Sequence, residues 1–231
     1  MVRPSSAIRE QFVPTTFAGA KAPYRDSVAP LRIVDPQGLY HVMSRGNFRQ
    51  PIFFDEDHYA KYLRLLTRVT RRRHWTILDW CLLPNHYHLL IQLTEGGLSE
   101  GMRELNGCYA RWSNLRTKRT GTGHLVKNRF EAKPVVTERH FWATVRYIPL
   151  NPVRADLVKR PEDWPWSGYR ATIGLEYPMA FHRPDELLRY FSPDPKIAVE
   201  RYIRFVREGQ VPNGHVPWSD HVRTWARVAP A

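Results

Sequence analysis

The chain has 231 residues, 42% of them hydrophobic, which suffices for one large domain or one domain with appendages. Lys and Arg number 35 against 22 Asp and Glu, a net charge of +13 that points to a polyanionic partner, most simply nucleic acid. No run of about 18 apolar residues exists, which excludes a membrane-spanning helix, and two cysteines exclude a disulfide framework or a cysteine-based zinc site.

Residues 1–30 carry Pro4, Pro14, Pro23 and Pro30 among scattered polar residues, and read as an irregular N-terminal arm. They hold no hydrophobic leader pattern, so secretion is not expected. Leu39 to Ser44 reads as a first strand, closed by the turn signal Arg45-Gly46-Asn47. Asp55 is placed to cap a helix bearing Tyr59, Tyr62, Leu63, Leu66 and Val69 at helical spacing. That helix ends in Arg71-Arg72-Arg73, which suits either the negative helix terminus or a phosphate.

Trp75–Leu83 and His86–Leu93 read as two strands joined at Pro84-Asn85, a hairpin. Ser99 is expected to cap a helix carrying Met102, Leu105, Tyr109 and Trp112. Cys81 in the strand and Cys108 in this helix read as buried thiols of a reducing compartment. A basic loop follows, with Arg116, Lys118, Arg119 and Lys127, and then Arg129 and Lys133; glycines and positive charge together suit a nucleic-acid backbone. Phe130–Thr137 is the fourth strand, and Thr137 caps a helix with Phe141, Val145 and Ile148. From Asp156 the chain is an appendage: Trp164, Trp166 and Tyr169 clamp it to the core, and helices follow at Asp185–Phe191 and Pro195–Glu208. The order strand, helix, strand, strand, helix, strand is the split βαβ, ferredoxin-like pattern. The expectation is an α+β fold: an antiparallel sheet with helices on one face and a C-terminal helical appendage. Its parts are an arm (1–30), a core domain (31–155) and an appendage with tail (156–231).

The chemistry centres on His86-Tyr87-His88. Side chains alternate along a strand, so the two imidazoles share a face and Tyr87 points away. Two such imidazoles are either two thirds of a metal site or two ordinary half-exposed histidines.

Pro84-Asn85-His86-Tyr87-His88-Leu89-Leu90 resembles the HUH signature of single-tyrosine transposases. Tyr147-Ile148-Pro149-Leu150-Asn151-Pro152-Val153-Arg154-Ala155 resembles the tyrosine motif of the REP-associated branch of that IS200-like family. Trp164-Pro165-Trp166-Ser167-Gly168-Tyr169-Arg170, Tyr40-His41-Val42-Met43-Ser44-Arg45-Gly46-Asn47 and Gly123-His124-Leu125 are similar to further blocks in the same order. The resemblance spans about residues 31–208, and these families share a ferredoxin-like core.

The resemblance implies a bacterial transposase that acts on the nucleoid in the cytoplasm. It would cleave single-stranded DNA beside repeat hairpins through a 5′-phosphotyrosine and then transfer the strand. Tyr147 would be the nucleophile. His86 and His88, with Asn151 as third ligand, would hold Mg²⁺ or Mn²⁺, since an amide oxygen is a hard donor. Asn151 lies one helical turn after Tyr147. Pro149 and Pro152 are expected to bend that helix, which leaves Asn151 either a ligand or the cap of a turn beginning at Pro152. Arg45 and Arg154 read as phosphate or structural arginines, and with Arg116, Lys118, Arg119, Lys127 and Arg129 they form the candidate DNA grip. A monomer is favoured, with a dimer as the alternative. A domesticated, non-cleaving hairpin-binding protein is the alternative, and a zinc hydrolase ranks last because the motif lacks a third His or acid.

Overall fold

The computed structural model describes residues 35–118, 124–126 and 129–208. The described residues all belong to one compact unit. The N-terminal arm, Arg119, Lys127 and the tail from Gly209 lie outside the described residues.

Four strands form one antiparallel sheet: β1 (Leu39–Arg45), β2 (Thr76–Leu83), β3 (His86–Gln92) and β4 (Glu131–Pro134), in the spatial order β2-β3-β1-β4. Because β3 lies between β1 and β2, this is the split βαβ arrangement the pattern predicts. The Pro84-Asn85 turn joins β2 and β3 as expected. β4 is shorter than the apolar pattern suggests. It is an edge strand, and it ends at Pro134, which has no N–H for a ladder.

The crossover helices α1 (Glu56–Arg73) and α2 (Leu98–Arg116) cover one face, where Tyr40, Val42, Leu82, Leu89 and Ile91 meet Tyr62, Leu66, Met102 and Leu105. Asp55 caps α1 as expected, its carboxylate accepting from the His58 amide at 3.0 Å. Ser99 does not cap α2. That helix begins at Leu98, and Gly97 holds the cap position at φ 72°, a left-handed conformation glycine adopts without strain.

The opposite face is covered as well, which the expectation of helices on one face left out. Leu39, Cys81, Leu83 and Leu90 pack there against α3 (Glu138–Arg154), α4 (Tyr169–Thr172), α5 (Pro184–Leu188) and α6 (Pro195–Glu208). The physical reason is that Leu78, Cys81 and Leu90 leave an apolar surface on this side too, and a sheet with two apolar faces must bury both. The Trp block makes the join. The Leu82 amide donates to the Trp166 carbonyl at 2.9 Å, the Trp164 indole donates to the Leu82 carbonyl at 3.0 Å, and Trp166 stacks on Tyr59 at 4.5 Å. No helix among the described residues is long and apolar enough to cross a membrane.

Candidate active site

In the β1–β3 pairing Met43 opposes His88 and Arg45 opposes His86, so these side chains share one sheet face. Strand alternation adds His41 to the same face. Tyr87 points to the other, as expected, and donates its hydroxyl hydrogen bond to Asn106 on α2 at 2.9 Å. α3 lies across the histidine face and brings Tyr147 onto it. The Tyr147 ring meets His88 edge-on at 5.2 Å between centroids and His41 at 5.9 Å, although Tyr147 follows His88 by 59 residues. His86 and His88 stand at 5.0 Å.

The ring nitrogens are held in one pattern. His86 Nδ1 lies 2.6 Å from Asn85 Oδ1, an atom that only accepts, so Nδ1 carries the proton and Nε2 keeps its lone pair. His88 Nδ1 lies 2.9 Å from His41 Nε2, and His88 Nε2 is buried without a partner. A buried unpaired nitrogen is costly, and such an atom calls for a ligand or a chemical role. Burial pushes His86 and His41 down to about 4, with Arg45 adding to the first and His140 and Lys133 to the second. Burial, and after it His41 and His86, hold His88 well below the ordinary imidazole range. All three rings are therefore neutral at pH 7.

α3 starts where Thr137 accepts from the His140 amide at 3.1 Å, as the sequence predicts. It does not break at Pro149 or Pro152, and the helix runs unbroken to Arg154. The Asn151 side chain supplies a reason. Pro152 has no N–H for the carbonyl of Ile148, four residues back. The Asn151 amide donates there at 3.4 Å and to the Tyr147 carbonyl at 2.8 Å. Asn151 thus stays on the helix, one turn past Tyr147, with its NH₂ committed to the backbone and its oxygen left as an acceptor. Arg154, one further turn on, sets its guanidinium over the Tyr147 ring at 5.2 Å.

Beside Tyr147 opens a cleft of about 490 Å³ that also includes Lys133, His140, Arg146 and Arg154 in its lining. It carries three cations and no carboxylate, which favours an anion. Arg146 is anchored by donating to the Val206 carbonyl at 3.2 Å.

The other predicted contacts scatter. Arg45 is exposed at the end of β1 opposite His86, and Arg129 is exposed just before β4. Arg116 ends α2, in the layer on the other side of the sheet. There it pairs with Asp57 at 2.6 Å and Asp55 at 3.4 Å, contacts that tie α2 to the start of α1. Lys118 is exposed beyond it. The sequence reading missed His41, His140 and Arg146 as site residues, and it had Lys133 only as the end of the basic stretch suited to a nucleic-acid backbone. His41 is the one that had a local signal, since it shares the alternation of β1 and sits in a block already singled out; the others enter through folding. No group of three or more His, Cys, Asp or Glu among the described residues is arranged to hold a metal ion.

A family model described as "Transposase IS200 like" matches residues 36–151, half of the chain, and includes His86, His88, Tyr147 and Asn151. Among curated proteins, the chain is 26% identical over 118 residues to the REP-associated tyrosine transposase of Escherichia coli (strain K12), covering 50% of this chain and 67% of that one. It is 29% identical over 111 residues to a putative REP-associated tyrosine transposase of Haemophilus influenzae (strain ATCC 51907 / DSM 11121 / KW20 / Rd), covering 42% and 61%. Among solved structures it matches the "Structure of the REP associates tyrosine transposase bound to a REP hairpin" with a TM-score of 0.52 and 25% identity, over 65% of this chain and 88% of that one.

Proposed function

This chain belongs to the IS200-like transposase family, and we propose that within it the chain cuts and rejoins single-stranded DNA beside repeat hairpins through a phosphotyrosine on Tyr147. The observation that carries the reading is Tyr147 packed against His88 and His41, under Arg154 and at the mouth of the cationic cleft.

In the proposed step the Tyr147 oxygen bonds to a backbone phosphorus and the bond from phosphorus to the 3′ oxygen breaks. The phenol's proton leaves to solvent and the departing 3′ oxygen takes one up. The 5′ end then sits on the tyrosine, and a second 3′-hydroxyl reverses the exchange on a new strand, so no nucleotide cofactor is consumed. A phenol of pKa about 10 is a poor nucleophile alone. Arg154, Lys133 and Arg146 offset the charge of the phosphate that approaches it.

The donor set fits a divalent cation. His86 has Nδ1 protonated against Asn85, which leaves its Nε2 free to ligate, and His88 has the same arrangement when its Nδ1 donates to His41. Asn151 offers a hard oxygen, since its NH₂ is turned into the helix. His86, His88 and Asn151 would hold Mg²⁺ or Mn²⁺, which when bound supplies a Lewis acid to a phosphate oxygen. His41 would orient His88 rather than ligate. Because Tyr147 already lies against His88 of its own chain, one copy suffices, and we place the reaction within a monomer.

The test is incubation of the protein and Mg²⁺ with a labelled repeat hairpin carrying a single-stranded flank. The expected product is a detergent-stable protein–DNA adduct bearing the 5′ end, mapped by peptide sequencing to Tyr147. Tight binding with no nick and no adduct is what a domesticated binding protein would give. Cleavage without any adduct would make water the nucleophile and overturn the class of chemistry.

A further inference from the structure

We propose that Phe48 is a stacking platform for one unpaired base of the DNA strand whose phosphate lies at Tyr147. This rests on the reading above. Phe48 is 85% exposed, the most exposed phenylalanine among the described residues, and its position is not an accident of a loose loop. Its φ is 49° and that of Arg49 is 60°. Two successive residues with side chains in the left-handed region are unfavourable, and such strain persists only where the surroundings impose it.

The surroundings are a strap onto the hairpin turn that carries His86. The Gly46 amide donates to the Asn85 carbonyl at 2.8 Å and the Asn47 amide to the Leu125 carbonyl at 3.1 Å. Inside the loop the Arg49 amide donates to Gly46 and the Gln50 amide to Asn47, at 3.1 and 2.9 Å. A Cβ on Gly46 would stand 2.0 Å from the Gln50 carbonyl oxygen, so the turn closes only around glycine. Asn85 completes the link: its NH₂ donates to the Arg49 carbonyl at 3.1 Å while its oxygen accepts from His86 Nδ1 at 2.6 Å. One side chain thus connects the Phe48 loop to a motif histidine.

A single exposed apolar ring is ordinary by itself. A ring held out in water by strained backbone, tied to the catalytic face and flanked by exposed Arg45 and Arg49, is a different object. Neither arginine forms an ion pair with the described residues, so both cations are available to phosphates on either side of a stacked base. Every base presents a π-face, so such a platform takes any unpaired nucleotide at a set distance from the cut.

The test uses the full chain and hairpin DNA with a single-stranded flank, with an abasic site walked through the flank. Phe48→Asn removes the ring and keeps the left-handed backbone, which asparagine tolerates. It should weaken binding about 5- to 150-fold. The wild type should lose as much on one abasic position only, and the two losses should not add. Phe48→Trp should keep affinity, and blunt duplex should bind both variants like wild type. Equal affinity of Phe48→Asn and wild type, or losses that add at every abasic position, overturns the inference. So does a fall in melting temperature for Phe48→Asn that accounts for its weaker binding. If the wild type binds and forms the Tyr147 adduct while Phe48→Asn binds equally well, only the platform falls. If the wild type does not bind flanked hairpins, the proposed function falls and the platform with it.

Discussion

Replacing Asn151 with alanine should remove stability and metal binding together. The side chain is 5% exposed, and its amide donates at 2.8 Å to the Tyr147 carbonyl and at 3.4 Å to that of Ile148. Taking a donor away from an interior carbonyl costs about 1–3 kcal/mol. The second bond is long and counts for less. Alanine returns roughly 0.6 kcal/mol through its better helix propensity. The net loss is therefore about 0.5–2.5 kcal/mol, or roughly 1–10 °C in Tm for a unit of this size. Melting without metal reads this loss, and titration with Mn²⁺ reads the missing ligand, as loss of the metal-dependent rise in Tm. Asn151→Asp separates the two roles. It keeps an oxygen and the volume but turns an acceptor toward the carbonyls, so the new carboxyl holds its proton and its folded pKa rises. Stability from such a group is present below its unfolded pKa and is lost as pH rises through the folded value. Without metal, Asn151→Asp should therefore be nearer wild type at pH 4 than at pH 7. An Asn151→Ala variant that melts within 1 °C of wild type and binds Mn²⁺ equally would refute both the helix repair and the ligand assignment.

Tyr147→Phe keeps the ring contacts with His88, His41 and Arg154, so stability should change by less than about 0.5 kcal/mol while cleavage and adduct vanish on denaturing gels; a nick from this variant would remove Tyr147 as nucleophile. His41→Ala should weaken Mn²⁺ binding about 10- to 100-fold by calorimetry, since it frees His88 Nδ1, with hairpin affinity in EDTA unchanged; unaltered Mn²⁺ affinity would show that His41 does not orient His88. Asp79 is buried, and burial raises its carboxyl to about 8, so its folded form stays neutral at pH 7 while the unfolded one ionises. It therefore costs stability increasingly as pH rises from the unfolded value toward about 8. Asp79→Asn should raise Tm, with an advantage that grows by roughly 1.4 kcal/mol per pH unit between pH 5 and 7; a pH-independent difference would contradict this. Hairpin affinity should fall steeply with salt, each single-strand phosphate contact adding about 0.7 to the slope of log affinity against log salt; a flat titration would deny the cationic cleft its role.

The strand period alone put His86 and His88 on one face and Tyr87 on the other, because alternation is a property of the extended backbone and needs no partner. Local chemistry likewise determined the Asp55 and Thr137 caps, the hairpin at Pro84-Asn85 and the order of elements that defines the split βαβ core. These signals lie within a few residues of one another. What only the tertiary structure decided is long-range. His41 reaches His88 because β1 pairs with β3 in one register, and a one-residue slip would turn it to the other face. Arg116 pairs with Asp55 and Asp57 because α2 ends beside the start of α1. The unbroken α3 defied a sound local rule about proline, because a side chain one position away supplied the donor the ring had removed. The sheet's second covered face was hidden for the same reason: apolar residues announce that a surface must be buried, but not which of the later helices will lie on it.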